Sequence, residues 1–146
     1  AVGDIELLYI PKVHSAPDLF GDVTTNSYAL DTLIAEFIQE GVLDYRLSVR
    51  GKKTYGPLNK LLTHRASGIG LDMFSTTPPN WGMALVVRTG PAEFNIRMMS
   101  RFRQLGMRGE AYGGIIDQDG QRHDCPDEEA VFHYLGWRFI PPNERV

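Results

Sequence analysis

The run TTPPN from Thr76 to Asn80 separates two stretches with different hydrophobic periods, which limits the folds open to this chain more than any other feature. Before it, most apolar residues alternate with polar ones, the period of half-buried strands. After it, they recur every three or four residues, the period of helices. The spacing therefore predicts an α+β architecture. A small mixed sheet with a flanking helix occupies residues 1–78, and a mostly helical lobe with a short hairpin occupies residues 79–146. With 146 residues and 42% hydrophobic positions, the chain can bury a core in each.

The individual elements follow from the same reasoning. Ile5, Leu7 and Tyr9 share one face of a predicted strand over 2–10, with Asp4, Glu6 and Leu8 on the other. Residues 11–27, rich in Pro, Ser, Asp, Asn and Gly, read as a loop whose end supplies Asn26 or Ser27 as a helix cap. Leu30, Leu33, Ile34, Phe37 and Ile38 then form one helical stripe, and Gly41 stops it. A strand is expected over 43–49, a short helical turn over 58–62, and a third strand over 69–74. Beyond the break, Pro91 opens a helix with the stripe Phe94, Met98, Phe102 and Leu105. A hairpin turns at Gln118–Gly120, Pro126 takes the first position of a last helix stopped by Gly136, and WRFIPP reads as a closing strand.

Charge is segregated along the chain. The net charge of −3 is the sum of −7 over residues 1–44, +6 over 45–71, −1 at Asp72, +4 over 73–108 and −5 over 109–146. Basic blocks in an acidic chain are what a phosphate track requires, and solvated faces produce them as well. Arg50, Lys52, Lys53 and Lys60 could meet the phosphates of a polyanion backbone, a reading that stands level with that of a solvated turn. No run reaches the roughly 20 apolar residues of a membrane span, and the first residues lack a signal-peptide pattern, so a cytoplasmic setting is expected. The single cysteine, Cys125, excludes an internal disulfide and is too little for a structural zinc site. His14, His64, His123 and His133 have no ligand-like spacing. Trp81 and Trp137 read as core anchors.

Three carboxylates carry the chemistry. Asp4 and Glu6 lie on one face of a strand, and Asp72 sits mid-strand among apolar residues, where a carboxylate needs a paired charge or a bound cation. Acids on neighbouring strands suit two hard divalent ions, which activate an attacking hydroxyl and neutralise a transferred phosphoryl group.

The segments GDIELLYIP, GLDMF, WGMALVVRTGPAEFNIRM and EEAVFHYLGWRFIPPNER together resemble the DNA polymerase X family, particularly its short bacterial and viral members. The resemblance runs over nearly the whole chain and is most specific in TGPAEFN and the PPNER tail. It implies a palm subdomain followed by a thumb-like, nucleotide-selecting one. The implied activity is two-metal addition of a deoxynucleotide to a primer 3′ end in gap filling. Asp4, Glu6 and Asp72 would hold two Mg²⁺ or Mn²⁺ ions, with Asp72 next to the primer hydroxyl. Thr89, Gly90, Asn95 and Arg88 would surround the incoming deoxynucleoside triphosphate, and primer-template or gapped DNA would be the partner. Four positions depart from the family: Glu6 stands for an Asp, Val87 and Arg88 for aromatic residues, and Met99 for an Arg that contacts template. The family also places a Gly-Ser turn and basic residues before the catalytic strand. Ala1 stands almost at that strand, so this element is expected in a preceding segment, on another chain, or lost from the gene. A noncatalytic DNA-binding or regulatory module on the same scaffold is the alternative.

Overall fold

A computed structural model describes residues 2–17 and 24–146, which form two compact units, Ala1–Ser75 and Thr76–Val146. The division thus falls three residues before the expected one, where the last strand of the sheet ends. The fold is α+β.

The first unit contains β1 (Asp4–Tyr9), β2 (Val13–Pro17), β3 (Thr24–Tyr28), α1 (Ala29–Gln39), β4 (Leu43–Tyr45), β5 (Asn59–His64) and β6 (Gly70–Ser75). Four strands make a sheet in the order β1-β6-β5-β4, with β1 parallel to β6 and the other pairs antiparallel. Ile34, Leu43, Leu62 and Met73 form its core, and Leu30, Phe37 and Ile38 of α1 pack against them. β1 is the edge strand, so Ile5 and Leu7 stay exposed at 48% and 43% despite their regular alternation.

Three expectations for this unit need correction. The segment read as a loop over 11–27 contains the antiparallel ribbon β2–β3, while residues 18–23 lie outside the described residues. Asn26 and Ser27 therefore belong to β3, and α1 starts from Tyr28 without a side-chain cap. The expected helical turn over 58–62 is strand β5. Its inward positions are Lys60 and Leu62, so a lysine at a core position disguised the alternation, and pairing with both β4 and β6 decided the conformation.

The second unit opens with a 3₁₀ turn at Pro78–Asn80. It continues through α2 (Trp81–Thr89), α3 (Ala92–Gln104), β7 (Arg108–Glu110), β8 (Gly114–Ile116), β9 (Arg122–His123) and α4 (Glu128–Leu135), ending in a second 3₁₀ turn at Pro142–Glu144. Phe94, Met98 and Phe102 of α3 are fully buried with Met83 and Val86 of α2, Ile115 of β8 and Val131, Phe132 and Leu135 of α4. Gly82 permits the close approach of α2 to the segment before α4. Its N–H donates to the Cys125 carbonyl at 2.7 Å, and a Cβ there would lie 1.8 Å from the Asp127 carbonyl oxygen. Burial also pushes the Cys125 thiol up in pKa, consistent with an unreactive core residue.

The expected last helix begins two residues later than Pro126. Asp127 is the cap, accepting from the Ala130 N–H at 2.8 Å, and Gly136 ends the helix with φ 68°. WRFIPP is not a strand. Trp137 and Ile140 instead pack against the core, and Arg145 lies beneath Phe94, Phe132 and Phe139, paired with Glu128 at 2.9 Å.

Candidate functional site

The register of β1 with β6 brings the acids onto one face. Glu6 is directly opposite Asp72, and Asp4 is opposite Gly70 two residues along. Residues aligned in a parallel pair point to the same side of the sheet, so Asp4, Glu6 and Asp72 share the face away from the α1-covered core. Asp4 and Glu6 are exposed, whereas the Asp72 side chain keeps only 13% of its surface.

The buried acid already has a cation beside it. Arg46, just beyond β4, pairs its backbone N–H with the Leu61 carbonyl and lays its side chain along the same face. Its Nη2 lies 2.5 Å from Asp72 Oδ1. That oxygen is buried and has no hydrogen bond of acceptable geometry, so the contact is one of charge and proximity without alignment. Gly70 makes the path: a Cβ there would lie 2.5 Å from Arg46 Nη1 and 3.2 Å from the Cβ of Asp4. No group of three or more His, Cys, Asp or Glu among the described residues is gathered closely enough to hold a metal ion. The donors fit hard cations in kind, in their shared face and in the buried Asp72 oxygen that lacks a hydrogen bond. What neutralises that oxygen here is a guanidinium.

The basic residues divide into two groups. Arg50 and Lys52 are exposed on a tight turn, where the Ser48 N–H donates to the Lys52 carbonyl at 2.8 Å and Gly51 takes φ 71°. Lys53 is also exposed, with its ammonium 4.3 Å from the Tyr45 ring centroid. Lys60 does not belong with them. It is 3% exposed, held by Asp31 at 3.1 Å and the Gly56 carbonyl at 2.7 Å, and cannot reach a phosphate. The Tyr55 hydroxyl donates to the same Asp31 oxygen at 2.5 Å. Burial first and this bond second push the tyrosine pKa well above its usual value. Nothing in the sequence marks Arg46 as the residue that meets Asp72, because the two are 26 positions apart and become neighbours only through strand register.

In the second unit, Thr89, Gly90 and Asn95 shape the turn between α2 and α3. The Thr89 hydroxyl donates to the Leu85 carbonyl at 2.8 Å, and Gly90 has φ 63°. Asn95 Nδ2 donates to the Val87 carbonyl at 2.8 Å, while its Oδ1 is buried without a partner. Arg88 points to Tyr112, with Nη2 3.1 Å from the phenol oxygen. Asn95 also lines a surface cavity of about 300 Å³ with Ile96, Met99, Ser100 and Arg103. Among the described residues no helix is long and apolar enough to cross a membrane.

Comparison with known proteins agrees with this architecture. Residues 84–146 match the DNA polymerase beta thumb family. No curated protein sequence matches the chain. Two solved structures of Leishmania infantum polymerase beta share the fold with a TM-score of 0.63 at 16% identity over 80% of this chain. One is a ternary P/T complex, of which the match covers 52%, and the other a ternary gap complex, of which it covers 49%. The chain therefore spans about half the length of the polymerase beta chains it resembles. Residues 84–146 of its second unit are thus similar to a DNA polymerase beta thumb, and the chain as a whole shares its fold with polymerase beta.

Proposed function

We propose that the chain is the core of a metal-dependent nucleotidyltransferase that extends a DNA 3′ end from deoxynucleoside triphosphates, on primer-template or gapped DNA. The observation that carries this reading is the register of β1 on β6. It sets Glu6 opposite Asp72 and both on the face of Asp4, with an Asp72 oxygen buried and short of a hydrogen bond. Asp4, Glu6 and Asp72 would hold two Mg²⁺ or Mn²⁺ ions, which when bound activate the attacking hydroxyl and neutralise charge on the phosphoryl group. The protein's own contribution is to present one largely buried and two exposed carboxylates on one face of a sheet. The longer side chain of Glu6 carries its carboxylate one methylene further from the strand than an Asp would. Arg50, Lys52 and Lys53 supply exposed positive charge for a phosphate backbone. In the second unit, Thr89, Gly90, Arg88 and Asn95 are the proposed nucleotide contacts, with the Asn95 carbonyl oxygen as the acceptor still open. The Leishmania polymerase beta structures are ternary complexes, which supports DNA as the partner class.

A second reading, a noncatalytic DNA-binding module, has its own observation: Asp72 is already matched by Arg46, and among the described residues no three acids are gathered. Primer extension on gapped DNA with Mg²⁺ or Mn²⁺, by the longest natural form containing these residues, separates the two. The enzyme reading expects extension that Asp72→Asn reduces by at least about a thousandfold, the scale of losing a principal electrostatic group in a phosphoryl transfer. DNA binding with no extension under either metal would leave only the module.

A further inference from the structure

Resting on the metal reading of the carboxylate face, we infer that Arg46 is an internal counter-cation that competes with a divalent ion for Asp72, so that metal binding requires the guanidinium to leave. Three observations converge. Arg46 Nη2 is 2.5 Å from the buried Asp72 oxygen. The guanidinium reaches it over Gly70, where a Cβ would stand 2.5 Å from Nη1, so the side chain lies in the gap between Asp4 and Asp72 that only a glycine leaves open. The contact lacks hydrogen-bond geometry, so it neutralises the carboxylate without the directional bonds of a well-formed arginine pair.

The energetics favour exchange over permanent pairing. A carboxylate with 13% of its surface left would be costly to keep unpaired, which is why a cation must sit beside it at all times. Arg46 meets that need with a single charge on a side chain that is itself one-third exposed, so it can swing into water at low cost. A divalent ion brings twice the charge and can recruit the exposed carboxylates of Asp4 and Glu6, which a guanidinium held at Asp72 does not gather. Arg46 thus acts as a positioning residue, orienting Asp72 and balancing its charge until metal arrives, at the expense of apparent metal affinity.

The test is Mn²⁺ binding without nucleotide or DNA, read from the loss of the free-ion electron paramagnetic resonance signal, with thermal unfolding to verify each fold. Arg46→Met should tighten Mn²⁺ binding about tenfold, a usual size for coupling between competing ligands. Gly70→Ala, which keeps the charge and forces the guanidinium to shift from its place over residue 70, should act in the same direction. Arg46→Lys should stay near the wild type. Arg65→Met, which removes an equal charge paired instead with Asp44, should change binding less than about twofold. Asp72→Asn should weaken Mn²⁺ binding and abolish the gain from Arg46→Met. Unchanged or weaker binding in both Arg46→Met and Gly70→Ala, with Asp72→Asn still damaging, overturns the competition and leaves the metal site standing. If Asp72→Asn has no effect on Mn²⁺ binding, the metal reading and the inference resting on it both fail.

Discussion

The two units solve the same problem by different means. In the second, ten buried residues pack into one apolar cluster, with Phe94 against Phe132 and Trp137 at centroid separations of 5.9 and 6.2 Å. In the first, four hydrophobic residues among the described ones form the buried cluster, Lys60 with Asp31 and Tyr55 completes that interior, and Asp72 pairs with Arg46 on the opposite face of the sheet. A sheet that must present charge on one face cannot bury that face in apolar contacts. Its stability then depends on geometry among charges, which is sensitive to whatever binds there. The thumb-like unit carries no such obligation and packs accordingly. The family match falls within it.

This contrast can be broken by experiment. Phe94→Ala should have the largest effect, about 3–5 kcal/mol, because it empties a fully buried site that touches two other aromatic residues. Urea unfolding followed by tryptophan fluorescence reads this unit alone, since Trp81 and Trp137 both lie in it. A loss under 1 kcal/mol would contradict the apolar account. Glu128→Ala should cost about 3 kcal/mol by stranding the 4%-exposed Arg145, the one buried charge beneath this core. The same titration measures it.

In the first unit, Asp31→Ala should cost about 2 kcal/mol, since Lys60 keeps only the Gly56 carbonyl and the Tyr55 ring while the Tyr55 hydroxyl loses its acceptor. Amide exchange of β5 is the measurement, and protection unchanged from the wild type would show that the polar interior is incidental. The smallest effect concerns pH. The Asp117 carboxyl is held below its usual 3.8, first by the hydrogen bond with His123 and then by the Gln121 N–H. A depressed carboxylate stabilises the folded state fully above the unfolded value and loses that contribution as pH falls through the folded one. The hairpin at β8–β9 should therefore loosen only below about pH 4. Asp117→Asn should flatten the acid limb of its amide exchange, and an unchanged limb would assign that limb to other carboxylates.

Legibility in the sequence followed the same contrast. The stripe Phe94, Met98 and Phe102, the Gly136 stop and the hairpin turn before Gln121 were readable because each is a local pattern with one physical cause. The strand β5 was not, since Leu58, Leu61 and Leu62 are spaced like a helix while an inward lysine hides the alternation. Asp72 was legible as an acid that must have a cation. Which cation it has was not.

The sequence by itself determined the change of period at Thr76–Asn80, the α+β class, the common face of Asp4 and Glu6, and the segments that resemble the polymerase X family. These rest on backbone geometry and side-chain spacing, which act over a few residues. Tertiary structure alone decided that Lys60 is buried, that WRFIPP folds back as packing without a strand, and that Arg46 reaches Asp72 across Gly70. Each depends on register between strands or on packing between distant segments, where a shift of one residue would turn the side chains to the opposite face.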